Sequence, residues 1–110
     1  MDSARSVEEL KSWVKRFCDE RGWDEPHTAK DLAIGASTEA SELLEIFRFV
    51  PRSSEEAVLA SEREHIGDEL ADTLYFLLRF AGRFGFDLSD CLQRKLEKNA
   101  LKYPAPKTRS

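Results

Sequence analysis

Two pairs of carboxylates interrupt the apolar faces of two predicted helices, and this pattern constrains the fold more than any other feature. Glu39 and Glu42 lie in the apolar run 33–47, and Glu69 and Asp72 lie in a similar run further along the chain. Both pairs have i, i+3 spacing, which puts their side chains on one side of a helix. At about 100° per residue, the first carboxylate of each pair falls within or at the edge of an apolar arc, and the second lies about 60° further round.

Four inward carboxylates predict a metal site rather than a simple apolar core. An isolated buried carboxylate is too costly to keep charged, and a group of four needs a cation to neutralise it. An all-oxygen ligand set suits Mg²⁺, or alternatively Mn²⁺, better than iron or zinc. Di-iron bundles require Glu-x-x-His on two helices, an arrangement that this chain lacks. The alternative, that all four are surface residues, fits poorly with a pattern that occurs twice.

Length and charge narrow the function classes. A chain of 110 residues predicts one domain over 1–110, with a structured core of about 6–104. The net charge of −4 argues against a partner such as a nucleic acid polymer, which usually meets a basic face. We expect no membrane-spanning helix and no signal peptide, hence a cytoplasmic location. Cys18 and Cys91 lie on apolar helical positions, so buried free thiols are favoured over a disulfide.

Cap and stop signals predict an all-α bundle with four main helices and no strand. A short helical turn is expected after Ser54, and the tail to Ser110 is expected to be mobile. The first helix is opened by the capping box of Ser6 and Glu9 and ended by Gly22, and the second is capped by Thr28 and Asp31 and runs to about Val50, before Pro51. The third covers 61–84 and is ended by Gly85. The fourth is capped by Asp87 and runs from Leu88 to about Lys102.

The last predicted helix carries two polar side chains on its apolar arc. Lys95 and Asn99 are i, i+4 neighbours on the face defined by the surrounding leucines. A lysine can extend its stem along apolar surface and keep its ammonium in water, and an asparagine can serve as a local cap. The functional alternative is that Lys95 contacts phosphate as a point charge, while Asn99 orients a phosphate oxygen or a metal-bound water.

Aromatic side chains flank the first carboxylate helix. Trp23 and His27 lie on either side of Pro26 in the preceding loop, and Phe47 and Phe49 lie at the end of the helix. Any one of these residues alone is more often core or surface filler. Together they predict a stacking wall for a nucleobase, because aromatic faces hold bases without sequence-specific contacts.

These residues resemble the MazG-like all-α nucleoside triphosphate pyrophosphohydrolases. The resemblance rests on Glu39-x-x-Glu42, on the segment 67–72 that ends in Asp72, and on the segment 95–104, which looks like the closing helix and terminal Tyr-Pro of the family. The loop 23–27 and the stretch 47–49 are similar to the dCTP pyrophosphatase branch. The resemblance covers about residues 6–104 and implies an oligomeric four-helix bundle of the all-α pyrophosphohydrolase type.

The resemblance also implies an activity and a site. Family members use Mg²⁺ to hydrolyse a nucleoside or deoxynucleoside triphosphate to the monophosphate and pyrophosphate, and dCTP or a modified nucleotide is the candidate substrate that the resemblance implies here. They are dimers or dimers of dimers with sites lined by more than one subunit, so a homodimer or homotetramer is implied. The corresponding residues are Glu39, Glu42, Glu69 and Asp72 for metal binding and catalysis, Lys95 and Asn99 for phosphate, and Trp23, His27 and Phe49 for the base.

Two alternatives to this interpretation differ in their demands on the sequence. A non-enzymatic helical dimerisation module would place the carboxylates on the surface, which the inward positions of Glu39, Lys95 and Asn99 disfavour. A phosphoribosyl-ATP pyrophosphohydrolase is a related enzyme, but the aromatic loop around Trp23 favours a base-stacking enzyme. Triphosphate hydrolysis needs charge neutralisation and an activated water, and Glu42 is our candidate to accept the proton of that water.

Overall fold

Helices make up nearly all of the regular structure in the computed structural model, which describes residues 1–106. No strand occurs within this range, so the prediction of an all-α fold is confirmed. Short 3₁₀ turns precede two of the helices, at Asp2–Ala4 and Arg52–Ser54. The α-helices are α1 (Val7–Asp19), α2 (Ala29–Phe47), α3 (Glu55–Ser61), α4 (Arg63–Phe84) and α5 (Leu88–Lys102).

The predicted start and stop signals act as expected. The Ser6 hydroxyl accepts from the backbone N–H of Glu9, whose carboxylate accepts from the backbone N–H of Ser6, and Thr28 and Asp31 form the same reciprocal cap. Such caps satisfy helix N–H groups that have no partner within the helix. Gly85 ends α4 at φ 75°, a left-handed conformation that glycine adopts without the usual steric cost.

Three boundaries differ from the sequence prediction, one of which is the start of α4, at Arg63 instead of 61. Helix α2 ends at Phe47 instead of about Val50, since the chain leaves the helix through a turn in which the Val50 N–H donates to the Phe47 carbonyl, and Pro51 is extended. The expected helical turn after Ser54 is a complete short helix, α3. The predicted mobile tail extends into 107–110, which lie outside the described residues.

Helix α4 is the central element of the packing. Helix α2 runs antiparallel to α4. Gly35 faces Phe76, and one helical turn further along α2, Glu39 lies near Asp72. Helix α1 packs antiparallel on the C-terminal half of α4, where Cys18 Sγ lies 3.3 Å from the hydroxyl of Tyr75. The loop between α1 and α2 therefore lies against the C-terminal half of α4, where Arg79 contacts Asp24 and His27.

The core of one chain is small, and α5 lies apart from it. The buried apolar side chains are Cys18, Leu32, Leu78 and Ala81, whereas α5 has no buried residue and packs only marginally on the other helices. The Cα radius of gyration is 17.3 Å, compared with about 13 Å for a compact chain of this length. None of the described helices is both long and apolar enough to cross a membrane.

Both cysteines are free thiols, as the sequence predicts. Cys18 is buried beneath Tyr75, and Cys91 is half-buried on α5.

Candidate active site

Three of the four predicted carboxylates converge between α2 and α4. Glu39, Glu69 and Asp72 each present one oxygen such that the three oxygens lie within 4.8 Å of one another. Glu69 is 8% exposed, Glu39 is half-buried, and Asp72 is exposed. The antiparallel pairing of two helices with i, i+3 carboxylates produces this cluster, which opens to solvent on one side.

The cluster is electrostatically strained. Burial raises the pKa of Glu39 above its ordinary value of 4.5, and the neighbouring carboxylates of Glu42 and Asp72 raise it further. Burial also raises the pKa of Glu69, followed by the contact with Glu42 and the charges of Asp72 and Glu39. Each carboxylate disfavours the ionised form of its neighbours. A cation bound between them would offset this repulsion, which otherwise destabilises the folded chain.

The donor set fits a hard divalent cation. Oε2 of Glu39 and Oε2 of Glu69 are buried and lack a hydrogen-bond partner within residues 1–106. Buried oxygens without a partner are costly, and metal coordination would satisfy both. Oxygens on one Mg²⁺ lie at most about 4.2 Å apart, because each bonds at about 2.1 Å. A small side-chain adjustment would bring the three oxygens of the cluster to that separation.

Two further glutamates and a histidine lie near the cluster in sequence. Glu42 is exposed and stands beside Glu39 and Glu69, closely enough to raise the pKa of both. Glu45, the next glutamate along α2, is exposed and pairs with Arg48 at 3.1 Å. His65, which the sequence did not single out, places Nε2 3.5 Å from Oε1 of Glu69.

An aromatic pocket of about 490 Å³ lies one helical turn from the carboxylates. Trp23 and His27 line it from the loop, and Tyr75 and Phe76 line it from α4. Gly35 in the pocket wall lies four positions before Glu39 on α2, a distance of about 6 Å along the helix axis. The volume falls in the range of about 300–1,000 Å³ that is usual for small-molecule sites. The structure thus brings two of the three predicted base-binding residues together beside the cluster.

Sequence reasoning missed the residue that organises this pocket. The Arg79 side chain is only 3% exposed, and its Nη2 contacts Oδ1 of Asp24 at 3.3 Å. The same nitrogen donates to Nδ1 of His27 at 3.0 Å. Since arginine cannot accept a hydrogen bond, Nδ1 must be the acceptor and the ring proton is on Nε2. The only sequence signal was a charged residue in the apolar stretch of α4.

Tyr75 is held in its neutral form. Burial raises the pKa of its phenol to about 12, and the contact with the Cys18 thiol acts in the same direction. The phenol therefore stays a hydrogen-bond donor throughout the physiological pH range.

The remaining predicted site residues lie away from the cluster within one chain. Lys95 is exposed and Asn99 is half-buried on α5, and α5 leaves from the far end of α4. Asp72 stands 12 residues before Phe84, or about 18 Å along α4. Phe49, which is 86% exposed, is 14 residues beyond Gly35, about 21 Å if measured at the helical rise.

Comparison with known proteins agrees with this geometry. The profile of the MazG-like family matches residues 34–110, a segment that includes both carboxylate pairs and α5. The chain belongs to the MazG-like family. This confirms the resemblance inferred from the carboxylate spacing and from the closing helix.

Individual relatives of this MazG-like chain include mammalian proteins and a solved structure. The bovine protein named dCTP pyrophosphatase 1 is 29% identical over 104 residues, which are 93% of this chain and 62% of the relative. The human protein of the same name is 28% identical over 107 residues, covering 96% and 63%. The chain thus spans less than two thirds of these relatives. The crystal structure of a pyrophosphatase from Archaeoglobus fulgidus superposes with a TM-score of 0.83 at 40% identity, covering 89% of this chain and 92% of that one.

Gly35 controls the shape of the aromatic pocket, which leads to a testable prediction. A Cβ added there would lie 2.6 Å from Cδ1 of Phe76, so the ring would have to swing into the pocket. We expect Gly35→Ala to lower the free energy of unfolding by about 1 kcal/mol, because overpacking of about 1–3 kcal/mol outweighs the gain of about 1 kcal/mol in helix propensity. Urea unfolding monitored by circular dichroism measures this change.

Gly67 provides the matched control for this substitution. It lies within α4, and a Cβ added there meets no atom within 4 Å. Gly67→Ala should therefore raise the free energy of unfolding by about 1 kcal/mol. Equal gains in both variants would show that the Phe76 ring does not fill the space beside Gly35.

Proposed function

We propose that this chain is a metal-dependent pyrophosphohydrolase that converts a nucleoside or deoxynucleoside triphosphate to the monophosphate and pyrophosphate. The observation that carries the proposal is the carboxylate cluster one helical turn from an aromatic pocket. That spacing suits a ligand with a base at one end and charged phosphates at the other. A non-enzymatic module would not need buried carboxylates that lack hydrogen-bond partners.

Each proposed site residue has a distinct role. Glu39, Glu69 and Asp72 would hold Mg²⁺ or Mn²⁺, which neutralises phosphate charge and polarises the scissile phosphate when bound. Glu42 is exposed beside them and is proposed to accept the proton of the attacking water. Lys95 and Asn99 would bind the phosphates.

The base would lie in the aromatic pocket. Trp23 offers an exposed ring face there, and His27 offers its Nε2 proton because Nδ1 is occupied by Arg79. Aromatic faces bind any base by stacking, so hydrogen bonds at the pocket edge would select it. Relatives named dCTP pyrophosphatase favour dCTP, or a modified cytosine nucleotide, as the first substrate to test.

We further propose that a complete site needs two subunits. The apolar side of α5 is open in one chain, with Leu92 60% and Leu96 57% exposed, and helix α4 exposes Leu77 and Phe84. Patches of this kind usually mark an interface. Lys95 and Asn99 lie on the same helix as the exposed leucines. A partner subunit packed on this helix would bring Lys95 and Asn99 close to a carboxylate cluster, either that of the same chain or that of the partner.

Product identity tests the proposed reaction. Incubation of the protein with Mg²⁺ and dCTP or another triphosphate should yield monophosphate and pyrophosphate in equal amounts, because the proposed reaction cleaves the bond between the α- and β-phosphates. Anion-exchange chromatography separates these products, and excess EDTA should abolish the reaction. Release of diphosphate and free phosphate would contradict the proposal.

A further inference from the structure

A second cavity, which the proposed reaction does not use, lies between α1, the following loop and the C-terminal half of α4. Its volume is about 180 Å³, and four of the nine residues that line it are cationic. Lys11 and Lys15 come from α1, Arg79 and Arg83 come from α4, and Asp24 is the one carboxylate among them. Four cations around one carboxylate stand out in a chain whose net charge is −4.

Arg79 has donor capacity that the protein does not satisfy. Its Nε is buried and has no hydrogen-bond partner within residues 1–106. The contact from Nη2 to Asp24 is 3.3 Å, longer than the usual 2.7–2.9 Å or so of a charge-assisted hydrogen bond. A buried guanidinium is costly unless its N–H groups meet acceptors. An acceptor-rich ligand at this position would therefore lower the free energy of the folded state.

The other three cations also keep donors to spare. Lys11 Nζ donates to the carbonyl of Phe86 at 2.7 Å, and Lys15 pairs with Asp19 at 2.8 Å. Arg83 donates to the carbonyl of His27. Because an ammonium has three N–H donors and a guanidinium has five, each contact leaves further donors for a ligand in the cavity.

We infer that this cavity binds a small oxyanion of the phosphate or pyrophosphate class. Its volume lies below the range of about 300–1,000 Å³ that is usual for larger organic ligands, which favours a small anion over a nucleoside triphosphate. Arg79 also lines the aromatic pocket and bonds to His27 there. An anion that draws Arg79 toward the basic cavity would weaken the bond to His27, so occupancy would be felt in the base pocket. Pyrophosphate, the product of the proposed reaction, would then feed back on base binding.

Isothermal titration calorimetry with sodium pyrophosphate and with inorganic phosphate tests this site in the presence of EDTA. Without a divalent cation the carboxylate cluster repels anions, which disfavours binding there, and no turnover is needed for the measurement. We expect saturable binding that weakens as NaCl is raised. Lys11→Gln and Lys15→Gln should each weaken it by about tenfold, because each removes a charge-assisted contact.

Arg16→Gln is the matched control, since it removes a positive charge from the same helix outside the cavity lining. It should bind the anion like the original chain. Arg79→Gln should abolish binding, and the two lysine variants decide the question if that variant fails to fold. Tighter binding of pyrophosphate than of phosphate supports a product site, and equal binding supports a general phosphate site. Absence of saturable binding, or equal weakening in Arg16→Gln, would overturn the inference.

Discussion

Glu69→Gln should lose catalytic activity by about 10³-fold or more while gaining stability in the absence of metal. The loss follows because a metal-binding carboxylate supplies several kcal/mol of transition-state stabilisation through the ion it holds. The gain follows because Glu69 is buried among three other carboxylates, and its pKa is raised by burial first and by those neighbours next. Glutamine keeps the shape of the side chain and removes the charge.

The sign of the pH dependence follows from the direction of the pKa shift. A carboxyl whose folded-state pKa lies above its ordinary value of 4.5 contributes stability below that pH, and the contribution is lost as pH rises through the folded-state pKa. The metal-free chain should therefore become less stable through Glu69 as pH rises above 4.5, and Glu69→Gln should flatten this decline. Thermal melts in EDTA at a series of pH values measure the difference.

Mg²⁺ should reverse the order of stability. The ion binds the folded carboxylate cluster and raises the Tm of the original chain, whereas Glu69→Gln should respond weakly. Glu45→Gln is the matched control, because Glu45 lies on α2 outside the cluster and pairs with Arg48. It should keep activity and the Mg²⁺ response. Full activity of Glu69→Gln, or equal losses in Glu45→Gln, would remove the proposed role of the cluster.

The carboxylate cluster could be predicted from sequence because it depends on local periodicity. Two i, i+3 pairs on two helices need only one antiparallel contact to meet, and α2 and α4 make that contact. The capping boxes are equally local, since residues three positions apart determine them. The capped helix starts were accordingly predicted well, whereas the uncapped start of α4 was placed two residues too early and the end of α2 too late.

The basic cavity, and the link that Arg79 makes between it and the aromatic pocket, could not be predicted because they depend on how a loop folds over a helix. Arg79 is buried only because Asp24 and His27 come down onto α4 from the loop after α1. The turn at Gly22, with φ 64°, lets the backbone N–H of Trp23 reach the carbonyl of Cys18, which sets the direction of that loop. Sequence periodicity carries no information on such non-local contacts.

Hydrophobic periodicity also cannot distinguish a helix face that is buried within its own chain from one that is buried against another subunit. The apolar arc of α4 includes Leu77 and Phe84, yet these are 47% and 40% exposed, while Leu78 outside that arc is only 4% exposed. The arc of α5 likewise predicts burial, but α5 contributes no buried residue to its own chain. An apolar helix face without an internal partner therefore points to assembly, which makes subunit exchange a decisive experiment.

Mixing two inactive variants should restore activity if carboxylates and α5 come from different subunits. Glu69→Gln breaks the metal site, and Lys95→Gln removes the proposed phosphate contact on α5. In a two-fold symmetric dimer, a mixed pair has one site with both defects and one intact site. Random pairing of equal amounts should then recover about one quarter of the original activity. Pyrophosphate release after subunit exchange measures the recovery.

Glu69→Gln mixed with Glu39→Gln is the control pair, because both substitutions damage the carboxylate set of their own subunit and every site in the mixture stays broken. No activity should return in that mixture. Light scattering on the same samples should give a mass above the 12.6 kDa of one chain. If mixed oligomers form and the Glu69→Gln and Lys95→Gln pair still stays inactive, the carboxylates and α5 act within one chain, and α5 must fold back onto α4 to do so. An active species of 12.6 kDa would likewise exclude the shared site.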